Sequence, residues 1–269
     1  MAQQVIGFIG AGNMATALAG GMIAKGIRPA RIWMSDLSED RLADVQRMHA
    51  VHTSQDNAEV VRRADILVLA VKPQVMASVC ADLRAHFSDQ PPLVISIAAG
   101  VTVASLKQWL GDVPVVRCMP NTPALVQAGA TGLFADPSVS SEQRAAAGDI
   151  LASVGLTFWF DHEDMLDAVT AVSGSGPAYF FLVMESMINA AMDLGLEADT
   201  ARRLVLQTAW GASQLAITSE SGPDVLRQQV TSPGGTTAAA LEAFYAGELP
   251  DLVKKALTAA RDRSRALSG

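Results

Sequence analysis

An α/β domain built on a parallel sheet and followed by a wholly helical domain is the architecture the sequence predicts, and three observations predict it. Short apolar runs alternate with longer amphipathic segments as far as Phe160, the order expected of parallel strands joined by crossover helices. A glycine-rich turn, Gly10-Ala11-Gly12, stands directly between the first run and the first amphipathic segment. From Glu163 onward apolar residues recur at helical spacing and no run reads as a strand.

Taken in order, Val5–Ile9 is the first expected strand. A helix from about Asn13 carries Met14, Leu18 and Met22 on one face and stops at Gly26. Arg31–Ser35 is the second strand, and Ser38 caps a second helix that runs to Met48. Ile66–Ala70, Leu93–Ile97 and Val113–Val116 are three further strands, with helices near Val75–Ala85 and Ser105–Leu110 between them. Ser141–Ser153 reads as a helix and Leu156–Phe160 as the last strand. The helical half is broken at Ser173–Pro177, Gly195, Gly222–Pro223 and Pro233–Gly235. The expected domains are 1–162 and 163–269. Between Leu204 and Ser219 no charged residue occurs, so that helix needs neighbours on every side, and a second copy of the chain can supply them.

Composition narrows the function. Apolar residues are 50% of the 269 and charged residues 17%, a hydrophobic balance that favours surface buried between subunits. The net charge of −7 with scattered Lys and Arg leaves no basic footprint for nucleic acid. Cys80, Cys118 and the four His show no metal-ligand spacing, and two distant cysteines fit a reduced, cytoplasmic compartment. The start of the chain lacks the basic and apolar regions of a signal peptide, and the low-charge stretches are interrupted by Ser, Gly, Gln and Thr, so no membrane span is expected.

In Ile9-Gly10-Ala11-Gly12-Asn13-Met14-Ala15, Gly10 permits a tight turn and Gly12 lets a pyrophosphate approach the backbone. Ala15 fills the place of a third glycine where helix and strand pack closely. Glycines at turns are usually structural, but this turn stands at the first strand-to-helix junction, where free N–H groups favour phosphates. The expectation is therefore a dinucleotide on a Rossmann-type doubly wound sheet. At the end of the second strand, Asp36 favours the ribose hydroxyls of NAD, while Ser35, Ser38 and Arg41 could make room for the extra phosphate of NADP. A helix cap is the third reading of Asp36 or Ser38.

Three more loops fall at the C-terminal ends of strands, where open α/β sheets bind ligands: Ala70-Val71-Lys72-Pro73, Ile97-Ala98-Ala99-Gly100 and Met119-Pro120-Asn121-Thr122-Pro123. Each taken alone is better explained as an ordinary turn after a strand. In the helical half, Ser232-Pro233-Gly234-Gly235-Thr236-Thr237 opens a helix with hydroxyls and backbone N–H groups suited to a carboxylate, or forms a plain Pro-Gly cap.

In this order, G-A-G-N-M-A, A-V-K-P, S-I-A-A-G-V, M-P-N-T-P-A-L-V, V-S-G-S-G-P-A-Y and V-T-S-P-G-G-T-T resemble the pyrroline-5-carboxylate reductase family over nearly the whole chain. The resemblance implies an all-helical dimerisation domain after the Rossmann-type domain, a homodimer, and larger rings built from dimers. It implies NADPH or NADH as cofactor, a nicotinamide near Ala98, Ala99 and Gly100, and a proline site around Ser232, Gly234, Gly235, Thr236 and Thr237. By position, Glu220 resembles the family's acidic residue beside the substrate amine, and Asn57 a contact to the adenosine half.

Between Glu163 and Val253 there is no His, Lys or Cys, so the helical domain offers no strong base or thiol. A cyclic imine does not need one, because its basic nitrogen takes a proton from solvent before hydride arrives. Thr237 is the expected hydrogen-bonding partner of that nitrogen. Two rivals are a β-hydroxyacid dehydrogenase-like reductase and a dinucleotide-binding redox sensor without catalysis. The first would resemble its family in a catalytic lysine on a helix of the second domain. Here Lys254 and Lys255 lie near the chain end among arginines and read as a solvated helix end.

Overall fold

The computed structural model describes residues 4–268, without the side chain of Ser268. Its first part runs β1 (Ile6–Ile9), α1 (Asn13–Ala24), β2 (Ile32–Ser35), α2 (Glu39–His49), β3 (His52–Ser54), α3 (Asn57–Val61), β4 (Ile66–Leu69) and α4 (Pro73–Arg84). It continues with β5 (Leu93–Ser96), α5 (Val103–Leu110), β6 (Val115–Met119), β7 (Gly129–Ala135), α6 (Ser141–Leu151), β8 (Gly155–Phe160) and α7 (Met165–Val169). The strands form one sheet in the order β3-β2-β1-β4-β5-β6-β7-β8. Neighbours are parallel except β6 and β7, so β7 and β8 run against the rest.

The chain reverses its strand order on the two sides of β1 and β4, which marks the switch point where such sheets bind ligands. Register aligns Ser35 with Ile9, Ile9 with Leu69, and Leu69 with Ser96, so the loops after β2, β1, β4 and β5 leave from one edge. Both faces of the central strands are buried, which is why they read as continuous apolar runs. Ile6, Phe8, Met34, Val68 and Ile95 pack under α1, α2 and α6, and Ile9, Leu67, Leu69 and Val94 under α3, α4 and α5.

Two strands lie where no strand was expected. β3 is three polar residues on the sheet edge, without an apolar run to signal it. β7 reads G-A-T-G-L-F-A, poor in β-branched residues, yet its glycines are what let it pack. A Cβ on Gly132 would lie 2.8 Å from Val169, and one on Gly129 would lie 2.9 Å from the Val154 carbonyl.

By packing, the first compact unit runs through Ser175 and takes in residues 260–268 as well. Polar contacts tie the segment after β8 down. The Glu163 carboxylate accepts from the Val103 N–H and from Arg117, each at 2.8 Å, and the Asn121 amide donates to the Ser173 carbonyl at 3.1 Å. A π-helical turn, Thr170–Gly174, follows α7.

The second unit, residues 176–259, holds α8 (Gly176–Asp193), α9 (Ala198–Thr218), α10 (Pro223–Gln229), α11 (Thr236–Ala246) and most of α12 (Leu249–Ser268). Phe180, Phe181, Trp210, Ile217, Phe244 and Leu252 are all more than half exposed in the single chain. So many large apolar side chains left exposed on one unit are what a partner-covered surface presents. The helical stretch Met165–Asp193 is also long and apolar enough, by length and composition, to cross a membrane.

Candidate active site

The glycine turn is shaped by what surrounds it. Gly10 has φ +99°, and a Cβ there would sit 2.8 Å from the Ala70 carbonyl oxygen, so both conformation and space demand glycine. Ile9 and Ala11 are both buried. A Cβ on Gly12 would meet nothing nearer than the Arg41 guanidinium at 3.6 Å, which leaves that side open to a ligand. Helix α1 then begins with no side-chain cap and no acidic residue in its first turn. Its free N–H groups and dipole suit a pyrophosphate. Asn13 is exposed there, Met14 half-buried, and Ala15 fully buried against the sheet.

Asp36, just beyond β2, joins the turn to α2. One carboxylate oxygen accepts from the Ala11 N–H and the other from the Ser38 N–H, both at 3.0 Å. The cap of α2 is Ser38, whose hydroxyl accepts from the Arg41 N–H at 3.4 Å. Ser35 is fully buried, with its hydroxyl 3.2 Å from the Phe8 carbonyl and 2.7 Å from the Asn57 side-chain oxygen. One hydroxyl proton cannot serve both. Turning the Asn57 amide so that its NH2 donates to Ser35 satisfies all three groups.

After β4, Ala70 and Val71 lie against Gly10, Lys72 is exposed at the start of α4, and Pro73 is that helix's first residue. After β5, the Ser96 hydroxyl accepts from the Ala98 N–H at 3.4 Å. Ala98 is buried, Ala99 exposed, and Gly100 left-handed at φ +73°. Residues 9–14, 35–36, 57, 70–73 and 98–100 thus gather at one edge of one sheet. The loop after β6 does other work. Asn121 is buried, donates to Ser173 and accepts from the Ala130 N–H at 2.9 Å, so its amide is used for packing.

A cleft of about 600 Å³ runs along the flank of α1 beside α2 and the turn Thr122–Val126. It shares Ala11 and Asn13 with the glycine turn and adds Thr16, Arg41, His49 and Gln127. It lies beside the strand-end loops instead of over them. Burial pushes the Cys80 thiol up to about 12 and the Cys118 thiol higher still, so neither is a nucleophile at neutral pH. Among the described residues no group of three or more His, Cys, Asp or Glu is placed to hold a metal ion.

In the second unit, Gly234 is left-handed at φ +68° and the Gly235 N–H closes the turn on the Ser232 carbonyl at 3.0 Å. Helix α11 starts at Thr236, capped by Gly235 backbone alone and with no acid in its first turn. Ser232 and Thr236 are exposed and Thr237 half-buried, so hydroxyls and unpaired N–H groups face outward together. Glu220 is exposed in the connection between α9 and α10.

What sequence reasoning missed is the Arg117–Glu163 pair and the docking of the chain end on Asp167. Arg117 carried a signal, a lone cation inside an apolar strand, which requires a buried partner.

The family model described as pyrroline-5-carboxylate reductase dimerisation matches residues 163–267, and one described as NADP oxidoreductase, coenzyme F420-dependent, matches residues 5–100. A pyrroline-5-carboxylate reductase of Pseudomonas aeruginosa is 51% identical over 98% of this chain and 96% of its own length. The solved reductase of Coxiella burnetii superimposes with a TM-score of 0.94 at 46% identity over 99% of both chains. The Plasmodium falciparum pyrroline carboxylate reductase, solved with NADP bound, does so at 0.89 and 31% over the whole of both. With both of its halves matched and its full length aligned, this chain belongs to the pyrroline-5-carboxylate reductase family.

Proposed function

We propose that the chain reduces the cyclic imine 1-pyrroline-5-carboxylate to proline with NAD(P)H, the last step of proline formation, using two uncapped helix starts as its two anion sites. The observation that carries this reading is that α1 and α11, each entered through glycines, both lack a side-chain cap and a first-turn acid. Residues Ile9 to Met14 hold the cofactor's phosphates. Ser35, Asp36 and Asn57 serve its adenosine ribose, and Ala70 to Pro73 with Ala98, Ala99 and Gly100 serve its nicotinamide half. The open side of Gly12 fits this group, which supplies the hydride when bound.

Ser232, Gly234 and the backbone N–H of Thr236 hold the substrate carboxylate, with Gly235, whose own N–H is spent on the Ser232 carbonyl, shaping the turn and Glu220 beside the substrate amine. The Thr237 hydroxyl hydrogen-bonds the imine nitrogen and steers its protonation, so the imine carbon faces the cofactor as an electrophile. Positioning supplies most of the rate, because no titratable catalyst is required. The working form is a cytoplasmic homodimer through the helical domain, assembled further into a ring of dimers.

Absorbance at 340 nm, followed with the imine and each of NADH and NADPH in turn, tests the reading. Imine-dependent oxidation is expected. Cofactor binding without it would favour the redox-sensor alternative. Thr237→Ala is expected to lower kcat/KM by about tenfold, the loss of one strong hydrogen bond in a shielded site. Unchanged steady-state constants would remove Thr237 from the mechanism.

A further inference from the structure

The end of α12 is held to the first unit by a buried polar contact. Ser264 is 5% exposed and its hydroxyl donates to an Asp167 oxygen at 2.7 Å, while the Arg265 guanidinium stands 3.8 Å from the other oxygen. One turn further on, Leu267 lies directly behind Gly100. A Cβ built on Gly100 would come within 3.2 Å of both the Leu267 Cβ and its carbonyl oxygen.

The loop that Gly100 ends has little to hold it. Ile97 donates its N–H to the Leu69 carbonyl at 3.2 Å, Ala98 has a 3.4 Å bond to Ser96, and Ala99 is exposed. Beyond it, the Val103 N–H is fixed by Glu163 at 2.8 Å. Glu163 and Asp167 are four residues apart, so one short segment grips the helix after the loop with its first carboxylate and the chain end with its second. The loop is therefore placed by what is packed behind it.

We propose that the last turn of α12 is a positioning element for the loop Ile97–Gly100, with Ser264 as its anchor and Leu267 as its stop. The inference rests on the reading that this loop faces the nicotinamide half of the cofactor. Loosening the turn lets Gly100 retreat and leaves the nicotinamide without its backing. The phosphate and adenosine half, held at other loops, is unaffected.

Three variants of the full enzyme decide it: Ser264→Ala, Ser264→Thr, and a chain ending at Ala266. For each, KM and kcat are measured with the preferred cofactor, together with inhibition by the nicotinamide-free ADP-ribose part of that same cofactor, melting temperature and oligomer size. Ser264→Ala and the shortened chain are expected to raise cofactor KM or lower kcat by roughly three- to tenfold, the range of one ordinary hydrogen bond. ADP-ribose inhibition should stay at the wild-type value, and Ser264→Thr should restore the constants. Wild-type constants in both impaired variants would overturn the proposal, as would equal weakening of ADP-ribose and cofactor. Should Ser264→Ala fail to fold, the chain ending at Ala266 keeps the Asp167 anchor and decides alone.

Ala99→Leu separates this inference from its foundation. If that exposed substitution leaves KM and kcat unchanged, the loop does not face the nicotinamide and the reading beneath the inference fails. If Ala99→Leu impairs turnover while the tail variants do not, only the positioning role fails.

Discussion

Asp36 holds two backbone N–H groups at once, those of Ala11 and Ser38, and so braces the glycine turn against α2. In the proposed cofactor site its negative charge would oppose the extra phosphate of NADPH, since two like charges about 4 Å apart repel by roughly 1 to 4 kcal/mol depending on screening. Asp36→Ser is therefore expected to shift the ratio of kcat/KM for NADPH over NADH upward by about tenfold, the equivalent of about 1.4 kcal/mol. Kinetics with both cofactors check this, and an unchanged ratio would show that the carboxylate acts only as a brace. At this scale the sequence is most legible where chemistry is local. Gly10 and Gly12 stand two positions apart in one strand-to-helix turn, and the reading of that turn needs no distant partner. Asn57 is less legible, because its first contact is Ser35, 22 residues earlier.

Among the elements, β6 carries the most consequential polar group of the first unit. Arg117 is 5% exposed within the run V-V-R-C-M and pairs with Glu163, which also takes the Val103 N–H at the start of α5. Removing one partner leaves the other charge without its counter-ion, so Arg117→Ala is expected to cost about 3 kcal/mol in urea unfolding. The ladder's other charged contact, Lys107 of α5 with Asp136 after β7, sets a pH dependence. Burial pushes the Asp136 carboxyl up, but hydrogen bonds from Lys107 and Ser138 outweigh it and hold the group below its ordinary value. The same bond, donated by Lys107 to the Asp136 carboxylate, holds the Lys107 ammonium above its ordinary value. A carboxyl depressed on folding adds stability that is present above its unfolded value and lost as pH falls through the folded one. A raised ammonium adds stability present below its unfolded value and lost as pH rises through the folded one. The pair therefore contributes at neutrality and fades below about pH 4 and above about pH 10.5. Asp136→Asn should lower the melting temperature at pH 7, and the deficit should shrink as pH falls below about 4; a deficit that stays constant on acidification would contradict the assignment. Elements defined by apolar period were readable in advance, whereas β3 and β7 were not. Polar residues in one and glycines in the other carry no periodic signal, and their strand state is imposed by neighbours.

The whole molecule divides its work between a sheet that places strand-end loops along one edge and a helical unit that opens α11 with an uncapped turn. Its hydrophobic composition is explained by that helical unit, where Phe180, Phe181, Trp210 and Phe244 stay exposed in one chain. A family match to a dimerisation domain over residues 163–267 says what such a surface is for. The packing limit at Ser175 was not readable from composition, because it depends on contacts such as Asn121 with Ser173 and Ser264 with Asp167, 52 and 97 residues apart. The central claim is that the start of α1 holds a dinucleotide and the start of α11 a small acid, as the proposed reduction requires. A crystal structure of the enzyme with oxidised cofactor and proline measures it directly. The account predicts the proline carboxylate on the turn Ser232–Thr237 and its ring carbon about 3.5 Å from the nicotinamide C4. A carboxylate bound elsewhere, or a carbon far out of hydride range in every pairing of subunits, would contradict it.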